Sequence, residues 1–190
     1  MKRLLFSLFA ISTVISSSSI FAEDSRILDI RAKYNATENA SLKQRKISLD
    51  DGPESAELVK YYNRDGILVK MKFSHGGDHG FATEYYYIDH GNLYFVFKES
   101  GFWQFNPKGP EGSTIDTSRE RRVYYSGNKV IRHLIKEATS VNAEAVAGLL
   151  KQAGNQKTSN PEIETMLLTN AQQLLHVDTE KELEKFLFQE

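Results

Sequence analysis

The predicted fold is decided by the stretch YYIDHGNLYFVF, residues 86–97. It consists of a tyrosine pair, a short polar turn that contains glycine, and an apolar run. Aromatic and β-branched residues favour a pleated, half-buried strand, and a His-Gly turn supplies the positive φ angles that tight hairpins need. The stretch therefore predicts two antiparallel strands joined by a short turn.

The same pattern occurs twice more, as YYNRDGILVKM at residues 61–71 and as YYSGNKVIRHL at residues 124–134. Residues 61–125 hold 8 of the 9 tyrosines, 6 of the 11 phenylalanines and the single tryptophan. Three copies at uneven spacing are too few for a solenoid. We therefore expect three hairpins of one antiparallel β-meander with about six strands.

Alternation of side chains along each returning strand predicts which residues share a face of the sheet. The pairs expected on one face are Val69 with Met71, Leu93 with Phe95, and Val130 with Leu134. The run at residues 93–97 is apolar at every position, so both faces of the central strand are expected to be covered.

Helical patterns flank the predicted sheet. Ile27, Ile30 and Tyr34 have helical spacing before it, and an Asn160-Pro161 start and a Thr179–Glu182 capping box occur after it. Strands followed by helices indicate an α+β fold with an N-terminal helix and two or three C-terminal helices. We assign residues 23–136 to the N-terminal helix and sheet. Residues 137–190 form a helical segment that docks on the sheet or makes a small appendage.

Residues 1–22 have the features of a removable signal peptide. Lys2 and Arg3 precede an apolar run at residues 4–14, and the small residue Ala22 suits a cleavage site. The run is too short to span a bilayer as a helix, and no later stretch reaches 18 apolar residues. The sequence therefore predicts a periplasmic or secreted protein without a membrane span in the mature chain.

The composition excludes several classes of function. The chain has no cysteine, so disulfides, thiolate metal sites and cysteine nucleophiles are excluded. The net charge of −1 becomes −3 without Lys2 and Arg3, which does not indicate a nucleic-acid binder. The phosphate-binding and dinucleotide-binding glycine motifs are absent from the sequence, and we expect no cofactor.

The most suggestive site for a metal is HGGDHG at residues 75–80. Imidazole and carboxylate groups suit zinc or another divalent ion, and the candidate ligands are His75, Asp78, His79 and His90. The glycines break any helix that would bring the two imidazoles of this segment onto one face. The alternative is a hairpin turn whose polar residues satisfy the backbone, with no metal.

The sequence gives less support for a catalytic site than for a metal site. The sequence lacks a Gly-x-Ser-x-Gly nucleophile motif, so Ser74, Ser100 and Ser118 are not assigned as nucleophiles. Glu84 and Glu99 are a carboxylate pair of the type that glycosidases use, but strand-surface acids explain them equally well. We therefore expect a protein that is not an enzyme, with a metal protein or hydrolase using the histidine segment as the alternative.

The candidate binding residues lie near the Pro/Gly loop at residues 107–112. Phe102, Trp103 and Phe105 form either a binding patch or a plug at the end of the core. Arg121 and Arg122 suit an anionic partner, although charges also protect an outer strand from edge pairing. Tyr86 is a further candidate for contact with a ligand.

The repeated hairpins resemble small exported bacterial domains of uncharacterised function, which have an N-terminal helix and repeated Tyr-Tyr, turn-Gly strands. The matching region is residues 27–135, and the motif is structural. The resemblance implies an exported α+β domain and carries over no catalytic residues.

We expect a non-enzymatic binding or interaction protein whose partner is a protein or a cell-envelope component. A narrower expectation is an inhibitor or immunity protein for a cell-wall-active enzyme. An envelope stress or assembly factor is a further alternative that the sequence leaves open.

Overall fold

A computed structural model describes residues 18–51 and 54–188. The predicted signal peptide lies outside these ranges except for residues 18–22, which begin the first helix. Within the described ranges, none of the helices combines the length and the apolar character that are required to cross a membrane.

The described residues form one helix, seven long strands, and then three helices with one short strand among them. The first part comprises α1 Ser18–Glu38, β1 Lys43–Asp51, β2 Glu54–Tyr62, β3 Leu68–Gly77, β4 Gly80–Asp89, β5 Asn92–Phe105, β6 Thr114–Ser126 and β7 Lys129–Ser140. The second part comprises α2 Ala143–Gln152, β8 Gln156–Lys157, α3 Pro161–Leu174 and α4 Glu180–Phe188. The α+β class is confirmed, and the sheet has eight strands in this part of the chain where about six were expected.

Both predicted helix starts are formed. The Asn160 side chain accepts a hydrogen bond from the Ile163 backbone N–H at 3.1 Å, with Pro161 in the first turn of α3. The Thr179 N–H donates to the Glu182 carboxylate at 2.9 Å, and the Glu182 N–H donates to the Thr179 hydroxyl at 3.3 Å. This reciprocal pair begins α4.

The strand order in the sheet follows the chain from β1 to β8, and every neighbouring pair is antiparallel. The three tyrosine pairs lie near the ends of β2, β4 and β6. The hairpin turns that follow them are therefore at one end of the sheet, which we call the turn end. The opposite end, with the β3–β4 connection at residues 77–80 and the β5–β6 connection at residues 105–114, is called the loop end.

Each tyrosine-pair hairpin contains a register shift beside the turn. One extra residue lies on the returning strand in each, namely Val69, Tyr94 and Ile131. A bulge of this kind moves the following residues to the other face. Two of the three predicted face pairs are therefore wrong, because Leu93 and Val130 pack with the core that lies under α3 and α4, whereas Phe95 and Leu134 pack on the opposite face. In the first hairpin, Leu68 packs with the same core as Met71.

One face of the sheet packs against α3 and α4. Tyr86 and Tyr125 lie in this core with Leu167 and Leu174 of α3, and all four are buried. The Tyr125 hydroxyl donates a hydrogen bond to the Glu164 carbonyl at 2.9 Å. The C-terminal helices thus share the core of the sheet, which corresponds to the docked arrangement and not to the appendage.

The opposite face is covered at the turn end by α1. Ile27 and Ile30 of α1 pack against an aromatic cluster that includes Tyr87, Phe95 and Tyr124. The second and third tyrosine pairs thereby contribute one ring to each face. The central strand β5 is covered on both faces, as expected.

Candidate functional site

A group of aromatic side chains remains exposed at the loop end. Phe81, Phe102 and Phe105 are 59%, 39% and 66% exposed, and Trp103 lies among them half-buried. We call Phe81, Trp103, Phe105 and His79 the aromatic loop-end surface. It comes from β4, β5 and the connection before β4, so its aromatic side chains are held by hydrogen-bonded strands. Phe102 points to the opposite face of the sheet, where its ring lies 5.6 Å from the Arg119 guanidinium.

The two-residue connection between β3 and β4 is fixed by Trp103. The Trp103 backbone N–H donates to the His79 carbonyl at 3.0 Å, and its indole N–H donates to the Asp78 carbonyl at 3.1 Å. The imidazole of His79 contacts the indole in a tilted arrangement, with ring centroids 4.5 Å apart. The end of β5 therefore holds the connection in one conformation.

Two glycines allow the aromatic rings to lie close to the backbone. Gly80 pairs with Phe102, and Phe81 pairs with Gly101. A Cβ atom on Gly80 would lie 2.4 Å from the Gly101 carbonyl oxygen, and one on Gly101 would lie 2.6 Å from the ring of Phe81. The ring of Phe81 therefore lies directly over Gly101, where a larger residue would displace it.

A hollow of about 200 Å³ adjoins the aromatic rings, between the strands and α2. Its lining includes Phe81, Trp103, Asp116 and Val146. The Asp116 carboxylate accepts a hydrogen bond from the Thr114 hydroxyl at 3.0 Å. Among the described residues, neither Asp116 nor Asp78 has an ion pair with a cation, so the surface combines apolar rings with uncompensated carboxylates.

The predicted binding residues do not form one group. Trp103 and Phe105 lie together, with ring centroids 5.4 Å apart, whereas Phe102 is exposed on the opposite face of the sheet; none of the three plugs the core. Tyr86 is fully buried and donates a hydrogen bond to Glu84, so no partner reaches it in this fold. Its nomination as a contact residue is corrected because α3 covers its face of the sheet.

The two arginines lie elsewhere in the sheet. Arg121 is only 8% exposed, and its guanidinium donates to His133 Nε2 at 3.2 Å. Burial lowers the pKa of Arg121. Arg122 lies over the ring of Phe97 at 4.9 Å and pairs with Glu120 at 2.8 Å. Neither arginine belongs to the aromatic loop-end surface.

The four metal candidates do not converge. Asp78 and His79 lie at the loop end, whereas His90 lies in the β4–β5 turn at the turn end. The ten residues of β4 separate these ends by about 30 Å. His75 is stacked on Phe73 within the sheet, with ring centroids 5.0 Å apart. No group of three or more His, Cys, Asp or Glu residues suited to a metal occurs in the part of the chain that the structure describes.

The candidate carboxylate pair, Glu84 and Glu99, does not lie on one face of the sheet. Glu84 is buried and accepts a hydrogen bond from Lys98 Nζ at 2.6 Å. Glu99 follows Lys98 in β5, and adjacent strand residues point to opposite faces. Burial raises the pKa of Glu99, and the nearby Glu120 raises it further. The two carboxyl groups therefore do not flank one cleft as a glycosidase pair would.

Phe81 and the hollow beside α2 were not predicted from the sequence. The available signal was a glycine next to a phenylalanine in each of two segments, Gly80-Phe81 and Gly101-Phe102, which lie opposite each other in the register. Only the register shows that these two segments meet.

The chain matches no protein-family model, and neither a curated protein nor a solved structure is similar to it. The resemblance to small exported bacterial domains therefore stays a prediction.

Proposed function

We propose that the protein is a non-enzymatic binding protein that holds a segment of a partner protein on its aromatic loop-end surface. The observation that supports this proposal is the exposure of Phe81 and Phe105 on the same face of the sheet as Trp103. Contiguous exposed apolar surface marks interaction sites, and large aromatic residues supply much of the binding energy at such sites.

The surface indicates the chemistry of the partner segment. A hollow of about 200 Å³ accommodates one apolar side chain of a partner segment. The carboxylates of Asp78 and Asp116, which lack cationic partners among the described residues, favour a lysine or arginine beside that side chain. We therefore assign the surface to a segment that carries an apolar residue next to a basic one.

The aromatic residues are arranged before a partner binds. Trp103 is fixed by hydrogen bonds through its backbone and its indole, and the His79 ring packs against it. Binding to a rigid surface costs less conformational entropy than ordering a loop. This arrangement supports recognition, and it does not require a bond-breaking step.

Export remains part of the proposal, and it would place the partner in the cell envelope or outside the cell. An inhibitor or immunity protein is the narrower form of the same function, and an envelope stress or assembly factor is the alternative. The identity of the partner distinguishes them: an enzyme that loses activity on binding supports an inhibitor, and an assembly component supports the alternative.

The test combines site-specific crosslinking with direct binding. A photo-crosslinking amino acid is placed at position 105 or, as a matched control, at position 67, because Ile67 is also exposed but lies at the turn end. We expect one stoichiometric partner to crosslink at position 105 and not at position 67.

Binding of that purified partner is then measured with single variants. Phe81→Ser or Phe105→Ser should weaken binding by about tenfold or more, whereas Ile67→Ser should leave it unchanged. Absence of a stoichiometric partner, or equal losses in the two kinds of variant, would contradict the proposal.

A further inference from the structure

A second cavity lies far from the loop end, between α1 and strands β5 and β6. Its volume is about 280 Å³, and we call it the α1 cleft. The rings of Phe95, Phe97 and Tyr124 form the sheet side of the cleft, and Tyr34 lines it from α1. Tyr34 and Phe95 meet edge to face with ring centroids 5.6 Å apart. The cleft therefore has an aromatic interior.

Polar contacts of Lys33, Thr37 and Glu38 tie α1 to the sheet. Lys33 Nζ pairs with the Asp89 carboxylate at 2.8 Å, and the Thr37 and Tyr94 hydroxyls are 3.4 Å apart. The Glu38 carboxylate pairs with Lys70 Nζ at 2.6 Å. A gap over the aromatic rings of β5 and β6 remains beside these contacts.

Arg31 and Asn35 also belong to α1 and line the cleft. Within the part of the chain that the structure describes, the Arg31 guanidinium has no ion pair or hydrogen bond. The Asn35 side-chain amide also has no hydrogen-bond partner there. Both groups are exposed, and both supply donors at the edge of an apolar cavity.

A second guanidinium lies on the sheet side of the same cavity. Arg122 lies over Phe97 and is held there by Glu120 and by the Asn155 side-chain oxygen at 3.0 Å. Its charge is already paired, so Arg31 is the cation that remains available for an anion. Arg122 is held in this position, and its planar guanidinium forms part of the wall of the α1 cleft.

We propose that the α1 cleft binds a small amphipathic anion. The apolar body would lie against Phe95, Phe97 and Tyr124, and a carboxylate or sulfonate group would accept hydrogen bonds from Arg31 and Asn35. A methylene group takes up about the same volume as a water molecule, roughly 30 Å³, so the cavity accommodates a body of about ten carbons. This site is independent of the aromatic loop-end surface.

The physical reasons for this ligand class are burial and charge. An apolar body that enters the cleft removes aromatic surface from water on both α1 and the sheet. A charge-assisted hydrogen bond to a guanidinium is stronger than one between neutral groups. Because such a ligand would contact α1 and the sheet together, it would also stabilise the folded chain.

The probe is 8-anilinonaphthalene-1-sulfonate, whose fluorescence rises in apolar sites, with decanoate and 1-decanol as competitors. We expect the purified protein to bind one probe in the cleft and decanoate to displace it more strongly than 1-decanol. Decanoate should also raise the melting temperature. Failure of decanoate to displace the probe, or equal displacement by the alcohol, would overturn the proposal.

Matched variants locate the site. Arg31→Glu should weaken decanoate binding by about tenfold or more. Arg64→Glu, an exposed substitution of the same charge in the β2–β3 turn, should leave binding unchanged. Phe105→Ser should also leave it unchanged, which separates this site from the proposed partner surface. Loss of decanoate binding in Arg64→Glu or Phe105→Ser to the extent seen in Arg31→Glu would refute the assignment.

Unliganded melting temperatures of the three variants check the fold. If Arg31→Glu lowers this temperature, chemical shifts of the labelled wild-type protein decide whether decanoate binds in the α1 cleft. Decanoate should then shift signals of Tyr34 and Phe97 and not those of Phe81 and Phe102, and the reverse pattern would overturn the proposal.

Discussion

The turn end and the loop end of the sheet are both rich in aromatic residues, yet only the loop end exposes several of them together. At the turn end, Tyr86 and Tyr125 are buried by α3, and Tyr87 and Tyr124 are buried near α1. At the loop end, the phenylalanines lie beside a hollow that α2 only borders. Aromatic content alone therefore does not mark a binding surface. The helices that cover the sheet determine which rings remain available to a partner.

The charges of the two ends differ in the same way. At the turn end, Lys70 pairs with Glu38 at 2.6 Å and lies within 5.2–5.3 Å of three tyrosine ring centroids. At the loop end, Asp78 and Asp116 have no such cationic partners among the described residues. Paired charges under a helix stabilise its position, whereas unpaired carboxylates beside exposed rings are available to another molecule.

The largest expected difference between the ends is in stability. Tyr125→Ala removes a buried ring and its hydrogen bond to the Glu164 carbonyl, so it should lower the free energy of unfolding by about 3–5 kcal/mol. Phe105→Ala removes an exposed ring and should change it by less than about 0.5 kcal/mol. Urea unfolding of both variants measures the difference, and equal effects would invalidate the comparison.

A loss of stability of intermediate size is expected when a glycine at the loop end is replaced. Gly80→Ala places a Cβ against the Gly101 carbonyl, which is backbone, so it should destabilise the protein by about 1–3 kcal/mol. Gly101→Ala meets only the exposed ring of Phe81, which is free to rotate away, and should cost less than about 1 kcal/mol. Thermal unfolding compares the two, and a larger loss for Gly101→Ala would show that the ring of Phe81 is fixed.

The smallest effect concerns the dependence of stability on pH. Burial lowers the pKa of His75 below 6.5, with Glu84 raising it and Lys98 lowering it further. The unfolded chain therefore binds more protons than the folded chain between these two pKa values, so stability falls as the pH decreases below about 6.5. His75→Gln should reduce this slope, as measured by urea unfolding from pH 7.5 to 5.

The control for that experiment is His90→Gln, which changes a histidine exposed in a turn at the other end of the sheet. An unchanged slope in His75→Gln would show that His75 does not contribute to the acid sensitivity.

The α+β class and the three hairpins were predictable because glycine favours tight turns and aromatic residues favour strands, and both preferences act locally. Gly66, Gly91 and Gly127 all adopt positive φ. The faces of the returning strands were not predictable, because the bulges at Val69, Tyr94 and Ile131 add one residue without a distinctive sequence. A single extra residue reverses every later assignment to a face.

The site was predictable in part. Phe102, Trp103 and Phe105 stood out as large aromatics near a Pro/Gly loop, but the sequence did not decide between core and surface, because that depends on where α2 and the C-terminal helices lie. The metal site predicted at His75, Asp78, His79 and His90 is not formed, and the reason is topological. His79 and His90 are eleven positions apart and are separated by one whole strand, so they lie at opposite ends of the sheet.

The order of the strands has a consequence for synthesis on the ribosome. Each of the seven long strands hydrogen-bonds only with its neighbours in the chain, so hairpins form as they emerge and close only short loops. The helices that cover one face come last, and the contact between Arg45 and Asp178 joins residues 133 positions apart. Until residues 161–188 have been synthesised, the nascent sheet presents an uncovered apolar face, and it is in this interval that the chain is most exposed to misassociation.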